Sequence, residues 1–161
     1  MSNINNYIEY INEMALSSPE DFIRKCEARY ENIISDIAEK IVADEGREIV
    51  MLAGPSSAGK TTTARKLCEK LNASGVKAYV LSLDDFYLNR DDIPYLSDGT
   101  QDFETVYALD LPCFEEKVNA LLRGETVKNP IFEFHTGRRS DTQFNEITLG
   151  EKDVVIIEGL H

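Results

Sequence analysis

Cysteine is scarce: Cys26, Cys68 and Cys113 are the only three in 161 residues, widely spaced and without a C-x-x-C or a nearby histidine pair. This excludes a disulfide-stapled fold and a thiolate metal site, fits a reducing cytoplasm, and leaves the three as expected buried packing thiols. Basic charge is also short, with 17 Lys and Arg against 29 Asp and Glu and a net charge of −12. That balance repels nucleic acid and anionic membrane surfaces, and the densest basic pair, Arg138-Arg139, is too small to reverse it. No apolar run approaches the roughly 20 residues that span a bilayer, and the N-terminus lacks a basic-then-apolar leader. Repeats and low-complexity tracts are missing too. The expectation is a cytoplasmic protein with no nucleic-acid or membrane partner, a homo-oligomer being an open option.

What is present suits one packed domain: hydrophobic residues make up 42% and charged residues 29%. Ser18-Pro19-Glu20-Asp21 reads as a helix start, with Ser18 as N-cap, Pro19 at the first helical position and acids in the first turn. Phe22, Cys26, Tyr30, Ile33, Ile37 and Ile41 then recur every three or four residues, giving an apolar stripe that ends near Gly46 and is expected to dock on the core. Residues 1–46 are therefore read as an N-terminal helical segment, and 47–161 as the core. In the core, Glu48 to Ala53 reads as a buried parallel strand, Thr61 to Leu71 as a helix followed by Gly75, and Ala78 to Leu83 as a second strand. Together these make a βαβ unit. Asp110 caps a helix that Gly124 terminates, and Val154 to Ile157 forms a third strand. A buried strand with no helix after it would leave one sheet face uncovered, so the chain reads as a fragment of a longer protein, truncated at its C-terminus.

Gly54-Pro55-Ser56-Ser57-Ala58-Gly59-Lys60-Thr61 fits the P-loop pattern G-x-x-x-x-G-K-[ST], between a predicted strand and a predicted helix. In such a loop the backbone N–H groups curl around a phosphate, and Gly54 and Gly59 are expected to supply dihedrals that glycine alone takes without a clash. Ser56, Ser57, Ala58 and Thr62 complete the candidate phosphate-binding set. Lys60 would reach the β- and γ-phosphates as a mobile charge, and the Thr61 hydroxyl would ligate Mg²⁺. Asp84 follows the second strand at the carboxyl edge of the sheet, where open α/β folds place ligands, and is the candidate base for a hydroxyl attacking a γ-phosphorus. Glu158 ends the third strand, where a carboxylate would hold Mg²⁺ directly or through water. Phe132, Phe134, His135, Arg138 and Arg139 lie in one segment suited to stacking on a ring and gripping polar groups. His135 alone is a weak signal, a lone histidine being more often solvated or structurally satisfied than a ligand.

Taken with their order and separations, the P-loop, Ser82-Leu-Asp-Asp-Phe-Tyr87 and Val154-Val-Ile-Ile-Glu-Gly159 resemble the uridine kinase and phosphoribulokinase family of P-loop kinases, over residues 47–161. The resemblance implies an α/β, P-loop NTPase-type doubly wound parallel sheet that moves the γ-phosphate of ATP or GTP to a nucleoside 5′-hydroxyl. It implies Asp84 as base, Thr61 and Glu158 on Mg²⁺, Tyr87 in the acceptor pocket, and Asp102 to Asp110 as an acceptor-binding stretch. Phe103 belongs to that stretch, and Glu104 occupies its acidic, ribose-gripping place. Gly137 falls where uridine-cytidine kinases carry a pyrimidine-reading histidine, so discrimination between pyrimidines is expected to be loose. An arginine-rich lid would follow residue 161.

Other acceptors, such as pantothenate, glycerate or a sugar phosphate, would suit the same machinery. A GTPase does not fit, because the third strand ends Glu158-Gly159 with no D-x-x-G, and no N-K-x-D is present. A non-catalytic nucleotide-binding module remains the alternative in which Asp84 and Glu158 are structural.

Overall fold

The computed structural model describes residues 8–44 and 46–160. Residues 1–7, 45 and 161, which the sequence reading assigned to the helical segment and the core, lie outside the described residues. The elements in chain order are α1 (Ile8–Ser17), α2 (Pro19–Val42), β1 (Ile49–Ala53), α3 (Lys60–Ala73), β2 (Ala78–Ser82), α4 (Leu111–Leu122), β3 (Val127–Glu133), β4 (Arg138–Ile147) and β5 (Val154–Gly159), with short 3-10 turns between β2 and α4.

Among the described residues, β1, β5 and β2 form a parallel sheet in that spatial order. The last strand thus inserts between the two strands of the βαβ unit. Every residue of β5 is buried, as an apolar run flanked on both sides requires. Its register sets Glu158 beside Leu52 of β1 and Ser82 of β2, so the one carboxylate of the strand arrives at the sheet's carboxyl edge.

The sheet is covered on two faces. Val50, Leu52, Val80, Val154 and Ile156 pack against α3 and α2 through Ala64, Leu67, Leu71, Ile34 and Ala38. On the other face, Ile49, Leu81, Val155 and Ile157 pack with Phe86, Ile93, Leu121 and Phe132, contributed by the 3-10 turns, α4 and β3. The expected bare face is confined to the β1 edge, where Met51 is 58% exposed. This is the α/β doubly wound arrangement read from the sequence.

Three expectations need correction. The docking stripe of α2 holds at Ile41, which is buried, and at Tyr30 and Phe22, which are partly so, but between them it shifts by one position: Ile34 and Ala38 are buried, whereas Ile33, Ile37 and Cys26 are exposed. The helix meets α3 on that row, and the Tyr30 hydroxyl hydrogen-bonds Thr63 Oγ1 at 2.7 Å. Ser18 stands at the α2 N-cap but makes no side-chain capping bond. The cysteines are not buried thiols either, since Cys26 is exposed and Cys68 and Cys113 are half-buried.

A hairpin absent from the sequence reading connects α4 to β5. β3 and β4 pair antiparallel, with a register shift between Pro130 and Phe132. Proline has no N–H to give the ladder, so a strand accommodates it at such an irregularity. The turn closes where the Gly137 N–H donates to the Glu133 carbonyl at 2.8 Å, with Gly137 at φ +68°.

Candidate functional site

The P-loop is tied to the end of the central strand, where the Gly54 N–H donates to the Gly159 carbonyl at 3.3 Å. The left-handed backbone positions of the loop are Ser57 (φ 60°) and Gly59 (φ 82°), so Gly54 does not carry the special dihedral assigned to it. A Cβ at Gly54 would meet the Lys60 side chain at 3.6 Å, an ordinary contact. Helix α3 starts at Lys60, and the first turn of a helix has N–H groups without intrahelical acceptors. The Thr63 N–H begins the ladder by donating to Gly59 O at 2.9 Å, leaving the N–H groups of Lys60, Thr61 and Thr62 at the positive end of the helix dipole.

A cavity of about 320 Å³ opens over this turn. Ser56, Ser57, Gly59, Lys60, Thr61 and Thr62 line it from the loop side, and Asp84 and Glu158 from the sheet edge. Gly54 and Ala58 do not line it. Lys60 Nζ donates to the Pro55 carbonyl at 3.0 Å and so rests on its own loop.

Glu158 is 3% exposed and accepts two hydroxyls on the same oxygen, Oε1: Thr61 Oγ1 at 3.0 Å and Ser82 Oγ at 2.9 Å. Among the described residues it forms no ion pair. A buried carboxylate with only neutral donors is costly until a cation joins it. One carboxylate with a hydroxyl beside it is a donor set of the kind Mg²⁺ takes, since that ion is typically held by one carboxylate or two, water and substrate phosphates. Ser82 was quoted in a motif but given no role; its Oγ also accepts the Asp84 N–H at 3.4 Å, which links Glu158 to the turn bearing Asp84. The signal for Ser82 was its place as the last residue of β2.

Gly159 is a second residue whose role the sequence reading missed. A Cβ there would lie 2.6 Å from Leu83 Cδ1 and 2.8 Å from Leu83 Cβ, the residue immediately before Asp84. Gly159→Ala is expected to destabilise the protein by about 1–3 kcal/mol and to displace the Leu83–Phe86 turn. Urea unfolding checks it: a variant as stable as the parent would show that the turn yields freely.

The adjacent carboxylates diverge in use. Asp84 lines the phosphate-loop cavity, while Asp85 Oδ1 accepts the Phe132 N–H of β3 at 3.1 Å. Burial raises the Asp85 pKa; the Phe132 hydrogen bond opposes this, and the charges of Asp84 and Glu158 add to it.

A second, mainly aromatic cavity of about 230 Å³ is lined by Tyr87, Phe103, Phe132, Phe134, Arg90 and Gly137. The Tyr87 hydroxyl donates to the Phe103 carbonyl at 3.0 Å, and the Tyr87 ring tilts against Phe132 with centroids 5.7 Å apart. Burial raises the Tyr87 pKa, and the negative charges of Asp84 and Glu104 raise it further. Glu104 itself is exposed and does not line the cavity. Arg139 lies outside it as well, donating to Asp110 Oδ2 at 2.6 Å. Asp110 also caps α4 by accepting the Cys113 N–H at 3.0 Å. Partial burial pulls the Asp110 pKa up, but the bond from Arg139, the capping N–H and the Arg139 charge outweigh it and leave it lowered. His135 is 80% exposed in the hairpin turn, as its solvated reading required.

Residues 49–161 match the family model described as Phosphoribulokinase / Uridine kinase family. The chain belongs to that family. The uridine kinase of Deinococcus deserti is 32% identical over 111 residues, covering 69% of this chain and 51% of the relative. The uridine kinase of Bacillus pumilus is 28% identical over 112 residues, with coverages of 70% and 51%. The chain thus spans about half the length of the curated relatives it matches. In fold it is similar to a possible uridine kinase from Bacillus stearothermophilus, with a TM-score of 0.66 and 23% identity over 83% of this chain and 71% of that one. It is also similar to a D-glycerate 3-kinase from Cryptococcus neoformans, with a TM-score of 0.59 and 22% identity over 81% and 52%. No helix among the described residues is long and apolar enough to cross a membrane.

Proposed function

We propose that this chain transfers the γ-phosphate of ATP or GTP to the 5′-hydroxyl of a nucleoside. One observation carries the reading: Asp84 lines the cavity at the P-loop, and Tyr87, whose N–H donates to the Asp84 carbonyl at 3.5 Å in the same turn, lines the aromatic cavity. Relatives that bear the name uridine kinase support the choice of acceptor.

In this reading the donor's phosphates lie over the first turn of α3, held by its N–H groups and by Lys60 swung off Pro55. Thr61 and Glu158 would hold Mg²⁺, which when bound neutralises phosphate charge. Asp84 accepts the proton of the 5′-hydroxyl as that oxygen bonds to the γ-phosphorus and the bond to the β,γ-bridging oxygen breaks, releasing the nucleoside diphosphate. Phe132 and Phe134 offer ring faces to the base, Phe103 closes the wall, and Glu104 accepts hydrogen bonds from the ribose hydroxyls. Arg139 serves by holding Asp110 and the start of α4.

Incubation with labelled ATP and a panel of nucleosides, pantothenate, glycerate and sugar phosphates tests the reading. A labelled nucleoside monophosphate is expected. Labelling of a non-nucleoside alone would refute the acceptor and leave phosphotransfer standing. Glu104→Ala is expected to lower kcat/KM for a ribonucleoside by about tenfold to a hundredfold, and for its 2′-deoxy analogue far less, because one of the two donors is already missing there. Equal losses for the two acceptors would remove Glu104 from the ribose site.

A further inference from the structure

The family model begins at residue 49, so α1 and α2 lie outside the match, yet α2 is bonded to the helix that follows the phosphate loop. Ile34, Ala38 and Ile41 pack with Ala64, Leu67 and Leu71 of α3. One turn earlier on both helices the contact becomes polar. The half-buried Tyr30 hydroxyl hydrogen-bonds Thr63 Oγ1 at 2.7 Å, the Lys66 ammonium stands 5.1 Å from the centre of the Tyr30 ring, and Lys66 also pairs with Glu31. Thr63 closes the first turn of α3, its N–H donating to Gly59 O at 2.9 Å, so Tyr30 reaches the turn whose residues line the phosphate-loop cavity. The same turn is held from a second direction by Thr61, whose hydroxyl donates to Glu158 at 3.0 Å. At 3.6 residues per turn, positions two apart lie about 200° apart around a helix. The turn is therefore clamped between β5 on one side and α2 on the other.

We propose that Tyr30 is a positioning residue of the nucleotide site, through which α2 braces the first turn of α3 so that the N–H groups of Lys60, Thr61 and Thr62 are aimed before a phosphate arrives. This rests on the P-loop part of the reading above and adds to it a segment, Pro19–Val42, that the matched family residues do not include. An anion gains from helix N–H groups only when they point at it, because the attraction weakens steeply with misalignment. Held by Thr61 alone, the turn would be free to roll about that contact, and a bound phosphate would have to arrest the motion at a cost in affinity. The bond from Thr63 to Tyr30 supplies the second point of attachment. The surface ion pair of Lys66 with Glu31 adds little by itself, which makes the hydroxyl bond the part to test. The coupling is reciprocal: whatever docked α2 adds to nucleotide affinity, bound nucleotide adds to the docking of α2.

The test measures the Kd for ATP, with Mg²⁺ present, in the full chain and its variants by calorimetry. Tyr30→Phe keeps the ring and its contact with Lys66 but removes the hydroxyl, and is expected to raise the Kd about threefold to tenfold, the scale of one neutral hydrogen bond. Thr63→Val removes the other partner at nearly constant shape and is expected to match it. The double variant should be no worse than either single one, since all three lack the same bond. Ile41→Val trims the docking row at the far end of α2, and is expected to lower the urea midpoint at least as much as Tyr30→Phe while leaving the Kd unchanged. ATP is also expected to slow amide hydrogen exchange in α2 of the parent, and to slow it less in Tyr30→Phe. A parental Kd in either Tyr30→Phe or Thr63→Val, or a loss in Ile41→Val equal to theirs, overturns the proposal and leaves the P-loop assignment standing. If the parent binds no ATP, the underlying reading fails and this proposal with it.

Discussion

Lys60→Ala is expected to cut phosphotransfer by about 10²-fold to 10³-fold with little change in unfolding temperature. The asymmetry follows from where the side chain rests. Among the described residues its Nζ hydrogen-bonds one neutral partner, the Pro55 carbonyl at 3.0 Å, in an exposed contact. Removing an exposed hydrogen bond of this kind costs stability little. In the proposed reaction, however, the lysine would supply a positive charge to oxygens that become more negative at the transition state, inside a cavity that the phosphates would fill. Thr61→Ala gives a second arm, with a different signature. It withdraws one of the two hydroxyls that satisfy Glu158, so a stability loss of about 1 kcal/mol should accompany the loss of activity. Undiminished phosphotransfer in both variants would sink the P-loop assignment. Lost activity with lost structure in Lys60→Ala would instead show that the lysine anchors the loop.

The parts of this fold legible in the sequence are those whose signal is local. The P-loop, the strand before it, the helix after it and the Asp110 cap of α4 each lie within a few residues of their own evidence. The β3–β4 hairpin does not. Its second strand reads Arg138-Arg-Ser-Asp-Thr-Gln-Phe-Asn-Glu-Ile147, mostly polar and exposed, and its first strand carries Pro130, so neither shows the alternation that marks a half-buried strand. Pairing across the Phe134–Gly137 turn stabilises both, a contact that propensity does not encode. The α2 offset has a similar origin. Ile33 and Ile34 are adjacent, as are Ile37 and Ala38, so two rows compete for the docking face; the larger side chains favoured the first, and packing against α3 selected the second. The site shows the same division. Glu158 and Thr61 stood out from their motifs, but the bond from Ser82 to Glu158 depends on β5 inserting between β1 and β2, a long-range register. Gly159 became interpretable only when Leu83 was seen against it.

Asp84→Asn should separate chemistry from binding most cleanly, because the sequence presents two adjacent carboxylates and the fold gives them different work. The Asp84 N–H is held by Ser82 Oγ at 3.4 Å, and Ser82 Oγ in turn donates to the buried Glu158, so the turn that carries Asp84 is anchored to β5 through one hydroxyl. Asparagine keeps the side chain's shape and leaves that backbone anchor in place, but it cannot take up a hydroxyl proton. Turnover is expected to fall by about 10²-fold or more while ATP binding holds, since a positioned general base contributes on that scale. Asp85→Asn is the matched control. Its Oδ1 still accepts the Phe132 N–H, so the hairpin stays attached and turnover should stay within about threefold of the parent. The pH response should differ as well. Because burial raises the Asp85 pKa in the folded protein, its ionisation costs stability as pH rises from the unfolded value through the folded one, and the parent should lose stability across that window. The asparagine variant should lack that component of the loss. Retained turnover in Asp84→Asn with only the acceptor KM raised would make Asp84 a binding residue. A collapse of turnover in Asp85→Asn alone would move the base one residue along the chain.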